Sequence, residues 1–253
     1  MYSNLKRLYS QADEMDISDG LQAYQRYHDL MKTIAAHFNM PLKRTTAAFV
    51  ALSPNSDYLG NLRSLVSMLE AGRQGLPYDS AIVSTYNACR ARANLYLTGT
   101  PFLDHAKGLK TRAFYQNILE PKTAGPVTVD GHMYHAWAGT TGGMRDAKVT
   151  RRVYAQISHE ISRLAAENDV YPHQAQAILW FARKRILSVL YDSQMALFDR
   201  DVGYQKTAFK LEEIRPYGVE DDYPNLGTDT VGTRESATPR SRKRPQLDLP
   251  FSS

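Results

Sequence analysis

"VTVDGHMYHAW", residues 127–137, is the stretch on which the fold turns. A β-branched run from Val127 to Val129 meets Asp130 and Gly131, and His132 and His135 then flank Met133 and Tyr134. β-Branched residues favour extended backbone, and an Asp accepts backbone N–H bonds at a first helical turn. A short helix is therefore predicted to begin at Gly131 with Asp130 as its cap. Two further readings of Asp130 stay open on local sequence: a metal ligand beside His132, or a catalytic carboxylate. An Asp-x-His pair without a third ligand nearby is thin support for a metal.

Working outward, the chain reads helical. "DGLQAYQRYHDLMKTIAAHF" sets Leu21, Tyr24, Tyr27, Leu30, Met31 and Ile34 at helical spacing and stops before Pro41. "TTAAFVAL" is an apolar run ending at "SPNSD", and "DYLGNLRSLVSMLEAG" reads as a helix from a capping Asp57 to a terminal Gly72. "DSAIVSTYNACRARANLYL", residues 79–97, reads as one amphipathic helix, and "GLKTRAFYQNIL" as a shorter one closed by Pro121. "VTRRVYAQISHEISRLAAEN" lines Val153, Ile157, Ile161 and Leu164 on one stripe, and "PHQAQAILWFARKRIL" opens on Pro172, a good first helical residue. Strand-type alternation is nearly absent, so the expected class is all-α.

Composition bounds the function. A chain of 253 residues with 43% hydrophobic content buries a sizeable core. No window is apolar enough for a membrane span, and the start "MYSNLKRLYSQADEMD" lacks a signal-peptide core. Cys89 is the single cysteine, which excludes a disulfide framework or a Cys-ligated iron–sulfur cluster within one chain and fits a reducing, cytoplasmic setting. Of the net charge of +5, a share of +2 sits in residues 227–253, where Arg234, Arg240, Arg242, Lys243 and Arg244 outnumber Asp229, Glu235 and Asp248. The body is not strongly basic, so any nucleic-acid contact must be a local patch.

Upstream of Asp130, "AKGLKTRAF" puts Lys110 at a helix start, and Gly108 and Leu109 form the turn before it. A turn, a lysine, a helix, a return loop and "VDxH" make a recognisable order. The segment resembles the helix–hairpin–helix DNA glycosylases, in the branch of 8-oxoguanine DNA glycosylase and endonuclease III: a Gly-rich hairpin ending in Lys, a helix, then "VDxH". "GLK" and "VTVDGHMYHAW" stand in those places. "ALSPNSDYLGN" (51–61) is similar to the "LSxQxxD" segment, with Asn55 where Gln usually stands. "YNACRARAN" (86–94) is similar to "YNxKAxNI", and "QAQAILWF" (174–181) to the helix that walls the base pocket. Roughly residues 40–190 are covered, and the order of the motifs carries the likeness more than any one of them.

The resemblance implies two helical lobes with the site in the cleft between them, double-stranded DNA as partner, no cofactor, no metal and a monomer. It implies that a nucleotide is flipped into a pocket. Lys110 would be the nucleophile at C1′ and Asp130 would assist it and stabilise positive charge developing on the sugar. Lys107, Gly108, Leu109, His132 and Asn55 would grip DNA, and Gln176 and Trp180 would meet the base. A Schiff base at Lys110 would permit an AP-lyase step.

Departures and tail leave alternatives. The hairpin normally reads Leu-Pro-Gly-Val-Gly, whereas "DHAKG" (104–108) keeps only Gly108, with Ala106 where a backbone must approach phosphate closely. From Gly227 the composition cannot form a core. The expected organisation is a helical domain over 1–226, a flexible basic linker over 227–245 and a terminal peptide over 246–253. "QLDLPF" in that peptide resembles the bacterial sliding-clamp-binding motif through Gln246, Leu247, Leu249 and Phe251. The clamp would then be a second partner, and the setting a bacterial or phage-infected cell, at the nucleoid. Two other readings stay open: a glycosylase-fold enzyme of phage base hypermodification, and a non-catalytic, clamp-tethered DNA-binding module.

Overall fold

The computed structural model describes residues 1–54, 56–142, 146–190, 214 and 216. The chain divides into two units, Met1–Tyr217 and Gly218–Ser253, and the second lies outside the described residues. The first is all-α. Its helices are α1 (Tyr2–Ser10), α2 (Glu14–His37), α3 (Leu42–Leu52), α4 (Tyr58–Arg73), α5 (Asn87–Leu97), α6 (Phe102–His105), α7 (Leu109–Leu119), α8 (Gly131–Ala138), α9 (Arg151–Glu167) and α10 (Pro172–Leu190).

Caps set several of these starts. Asp57 accepts from the Gly60 N–H at 2.6 Å, and Asp130 accepts from the Met133 N–H at 2.9 Å. Asp13 forms a capping box with Asp16, which starts α2 ahead of the apolar stripe that marks it in sequence. Two apolar clusters result. One gathers α2 to α7 around α3, whose residues from Thr45 to Leu52 are all buried. The other gathers α1, α8, α9 and the Val127–Val129 segment. Helix α10 serves both: Ala177 and Phe181 enter the first, and Ala175, Leu179 and Ala182 enter the second. Trp180 is half-buried and packs against both. The crossing of α2 and α10 is close because Gly20 has no side chain. A methyl there would stand 2.6 Å from the Ile178 backbone nitrogen.

Two expectations need correction. Residues 79–97 are not one helix. Tyr78–Ser80 form a 3-10 turn, and α5 begins only at Asn87. The intervening segment is held sideways: the Ser84 N–H donates to Ser64 Oγ at 3.0 Å, and the Thr85 hydroxyl bonds the Pro54 carbonyl. Those tertiary bonds outcompete a local helix containing Ile82 and Val83. Gly72 does not end α4, which runs through Arg73. Gly72 is small because the Tyr78 ring packs against it, its Cζ 2.8 Å from where a Cβ would be.

Candidate functional site

Asp130 holds extended backbone before α8, and its carboxylate caps the helix. The approach is stitched to α9 by Tyr154, whose hydroxyl donates to the Val127 carbonyl at 2.7 Å. In the first turn of α8, His132 faces α10. Nη1 of Arg183, from α10, is 2.8 Å from its Nδ1, and the Trp180 ring meets it edge-on with centroids 6.0 Å apart. Lys184 Nζ sits 4.8 Å over the Trp180 ring. Arg183 is buried, and its Nη2 also donates to the Gly142 carbonyl at 3.4 Å.

The electrostatics gather more distant groups onto the same imidazole. His132 is held down to about 4, first by burial, with the positive charges of Arg183, Lys184 and Lys110 adding to it and the Asp130 carboxylate opposing. A guanidinium can only donate, so His132 accepts at Nδ1 and is the neutral Nε2–H tautomer. Lys110 is an exposed residue of the first turn of α7. Of the two residues singled out in sequence as nucleophile and carboxylate, Lys110 pushes the His132 value down and Asp130 pushes it up.

The hairpin before α7 has a well-defined frame. Gly108 caps α7 at φ −74°, a conformation open to any residue, and Lys107 Nζ donates to the Asp104 carbonyl at 2.7 Å. Arg112 braces the turn by donating to the carbonyls of Leu103 at 2.9 Å and Ala106 at 3.3 Å. Leu109 and Lys107 are exposed, while Ala106 is buried. A cavity of about 280 Å³ opens beside this turn, lined among others by Pro54, Arg92, Tyr96, His105, Lys107 and Gly108.

Gln176 is buried, and its Oε1 lies 2.8 Å from the Tyr24 hydroxyl. Any role at a base would fall to the other end of its amide. Trp180 stands one turn further along α10. His135 Nδ1 lies 2.7 Å from the Thr140 hydroxyl. Asn55 and the tail residues Gln246, Leu247, Leu249 and Phe251, with the 227–245 linker, lie outside the described residues. Among the described residues no group of three or more His, Cys, Asp or Glu is placed to hold a metal ion, and no helix is long and apolar enough to cross a membrane.

Sequence reasoning missed Arg183, Lys184 and Tyr24. The first two carried a signal: Arg183 follows Gln176 by seven residues and Trp180 by three, and Lys184 follows Trp180 by four, spacings that put them on the Gln176–Trp180 side of α10. Tyr24 carried none, since its partner is 152 residues away.

A family profile described as "Family of unknown function (DUF7178)" matches residues 1–186. The chain belongs to this family. The DUF7178 match takes in α1 to α9 and most of α10, so Lys110, Asp130, His132, Gln176, Trp180 and Arg183 all fall within it. No curated protein matches the chain, and no solved structure does.

Proposed function

We propose that the protein is a DNA glycosylase with AP-lyase chemistry, in which Lys110 is the nucleophile and Asp130 the assisting carboxylate, set in a cleft between two helical lobes. The observation that carries it is the motif order that resembles these enzymes, with Lys110 in the first turn of α7, Asp130 capping α8 and, just after it, His132 bonded at Nδ1 by Arg183.

The chemistry needs an unprotonated amine at Lys110. Its nitrogen attacks C1′ of a flipped deoxynucleotide as the N-glycosidic bond breaks. The base leaves with the bonding pair and takes a proton, and the lysine nitrogen gives one up. The Asp130 carboxylate stabilises the positive charge that builds on the sugar. Ring opening, with O4′ protonated, yields the Schiff base. Loss of a C2′ proton and departure of the 3′ phosphate then cut the strand. The Nε2–H of His132 and the ammonium of Lys107 would hold DNA phosphates, and Trp180 would stack on the base. Gln246, Leu247, Leu249 and Phe251 would dock on a sliding clamp and keep the enzyme at replicating DNA in a bacterial or phage-infected cell.

Borohydride trapping tests this on duplexes carrying abasic, 8-oxoguanine, uracil or phage-type modified sites. A covalent adduct that disappears in Lys110→Gln supports the proposal. DNA binding with neither adduct nor base release on any duplex leaves a non-catalytic binding module instead.

A further inference from the structure

Beneath Gln176 runs a chain of polar side chains whose direction can be deduced from donor and acceptor counting. It starts at the Pro126 carbonyl, which can only accept. Asn117 stands 2.7 Å from it through Nδ2, and turning that amide over would press two carbonyl oxygens together. The second N–H of the same nitrogen donates to Thr128 Oγ1 at 3.2 Å. Thr128 is buried, and the other polar atom beside its hydroxyl is Tyr24 Oη at 3.0 Å. The Tyr24 hydroxyl in turn lies 2.8 Å from Gln176.

Tyr24 has one proton and two neighbours that could accept it, Thr128 and Gln176, since Asn117 turns a donor to this side. Were it given to Thr128, the Thr128 proton would have no acceptor in a buried site, which costs about 1–3 kcal/mol. Given to Gln176, every hydroxyl proton is used. The run is therefore Asn117 to Thr128 to Tyr24 to Gln176, and it ends on Oε1 of Gln176. Tyr24 is itself held by edge-on contacts with Phe114 and His173, at centroid separations of 6.2 and 5.2 Å. The amide of Gln176 thus turns its oxygen inward and its Nε2 away from Tyr24. Gln176 is 6% exposed, no described group accepts from that nitrogen, and the nitrogen is not among the sealed atoms lacking a partner. On the same helix face stand Trp180 and Arg183.

We propose that the Asn117–Thr128–Tyr24 chain makes Gln176 present a fixed N–H pair to the flipped base, so that the site selects a base with a carbonyl at the edge it meets over one with an exocyclic amino group. Hypoxanthine would be taken over adenine and uracil over cytosine. The proposal rests on the glycosylase reading of the site. Gln176 is the specificity-determining contact, and Tyr24, Thr128 and Asn117 are positioning residues.

The test is equilibrium affinity, which needs no turnover. The full chain carrying Lys110→Gln is titrated with four duplexes that differ only in one base, hypoxanthine, adenine, uracil or cytosine, each opposite the same abasic analogue. The expected preference within each keto and amino pair is about tenfold, the worth of one hydrogen bond of about 1.4 kcal/mol. Tyr24→Phe keeps the ring and its aromatic contacts but frees the amide to turn, so the preference should fall to within about twofold. Gln176→Glu, which offers acceptors in place of the N–H pair, should reverse it. Equal affinities in the parent, or a preference that Tyr24→Phe leaves unchanged, would overturn the proposal. The glycosylase reading fails on a different readout, the absence of base release and trapping by the chain with Lys110 intact.

Discussion

Arg183 reaches from α10 to α8 and holds Nδ1 of His132 at 2.8 Å, so that a buried guanidinium faces an imidazole. A protonated His132 could not accept this bond, and two cations would then face each other. The arrangement therefore requires the neutral ring, and burial favours it together with positive charge from α10 and α7, Arg183, Lys184 and Lys110, against the opposing carboxylate of Asp130.

A pH dependence follows from the sign of that shift. The folded value of His132, about 4, lies below its ordinary 6.5. As pH falls the unfolded chain takes up the proton first, so the contribution is complete above about pH 6.5, is lost between about 6.5 and 4, and changes no further below. Its size is on the order of 2 kcal/mol after discounting for the solvent the half-buried ring still meets. Urea unfolding from pH 8 to 4 measures it, with His132→Asn as the reference that cancels other groups. His173, which burial also pushes down, is one of these. A wild-type curve parallel to that of His132→Asn would refute the account. Nitrogen NMR of the ring should find the proton on Nε2.

Asp130 has a structural duty and a proposed chemical one, and two variants separate them. Asp130→Ala removes the cap and should cost about 1 kcal/mol in chemical denaturation. Asp130→Asn keeps an oxygen for the Met133 N–H, so its stability should stay within about 0.5 kcal/mol of the parent. Base release should nevertheless be lost in both. An active Asp130→Asn protein would confine the residue to capping.

Gly20 is predicted to be intolerant of even one carbon. A Cβ would meet Ile178 backbone at 2.6 Å, and neither helix axis can yield without opening both apolar clusters that share α10. Gly20→Ala should destabilise by about 2 kcal/mol or more, although alanine is the better helix former by about 1 kcal/mol. A thermal melt at or above the wild-type midpoint would show that the crossing is looser than the structure has it.

Lys107 should contribute to DNA binding as a point charge. In Lys107→Ala the slope of log affinity against log salt should become shallower by about 0.9, with the affinity loss independent of the base at the central site. A base-dependent loss would move Lys107 from the phosphate backbone into the pocket.

For the tail, deletion of residues 246–253 should abolish capture by an immobilised bacterial sliding clamp while leaving the melting temperature of the helical unit unchanged. Capture that survives the deletion refutes the peptide assignment.

Local signals made much of the helical framework legible. Asp57, Asp130 and Pro172 mark starts because a cap or a fixed φ acts within one turn. Of the stripe Val153, Ile157, Ile161 and Leu164, the last three are buried and Val153 is half-buried against the same cluster. What failed were positions decided by remote partners. Residues 81–86 leave the helix for bonds to Ser64 and Pro54, and Gly72 is dictated by Tyr78 rather than by a helix end.

The sequence by itself determined the all-α class, the capping of α8 by Asp130 and the order of Lys110, Asp130, Gln176 and Trp180, because propensity, caps and periodicity act over a few residues. Only the tertiary structure decided that His132 is neutral and that Gln176 turns its oxygen inward. Arg183 and Tyr24 come from 51 and 152 residues away, and it is the cost of leaving a buried polar group unpaired that selects them.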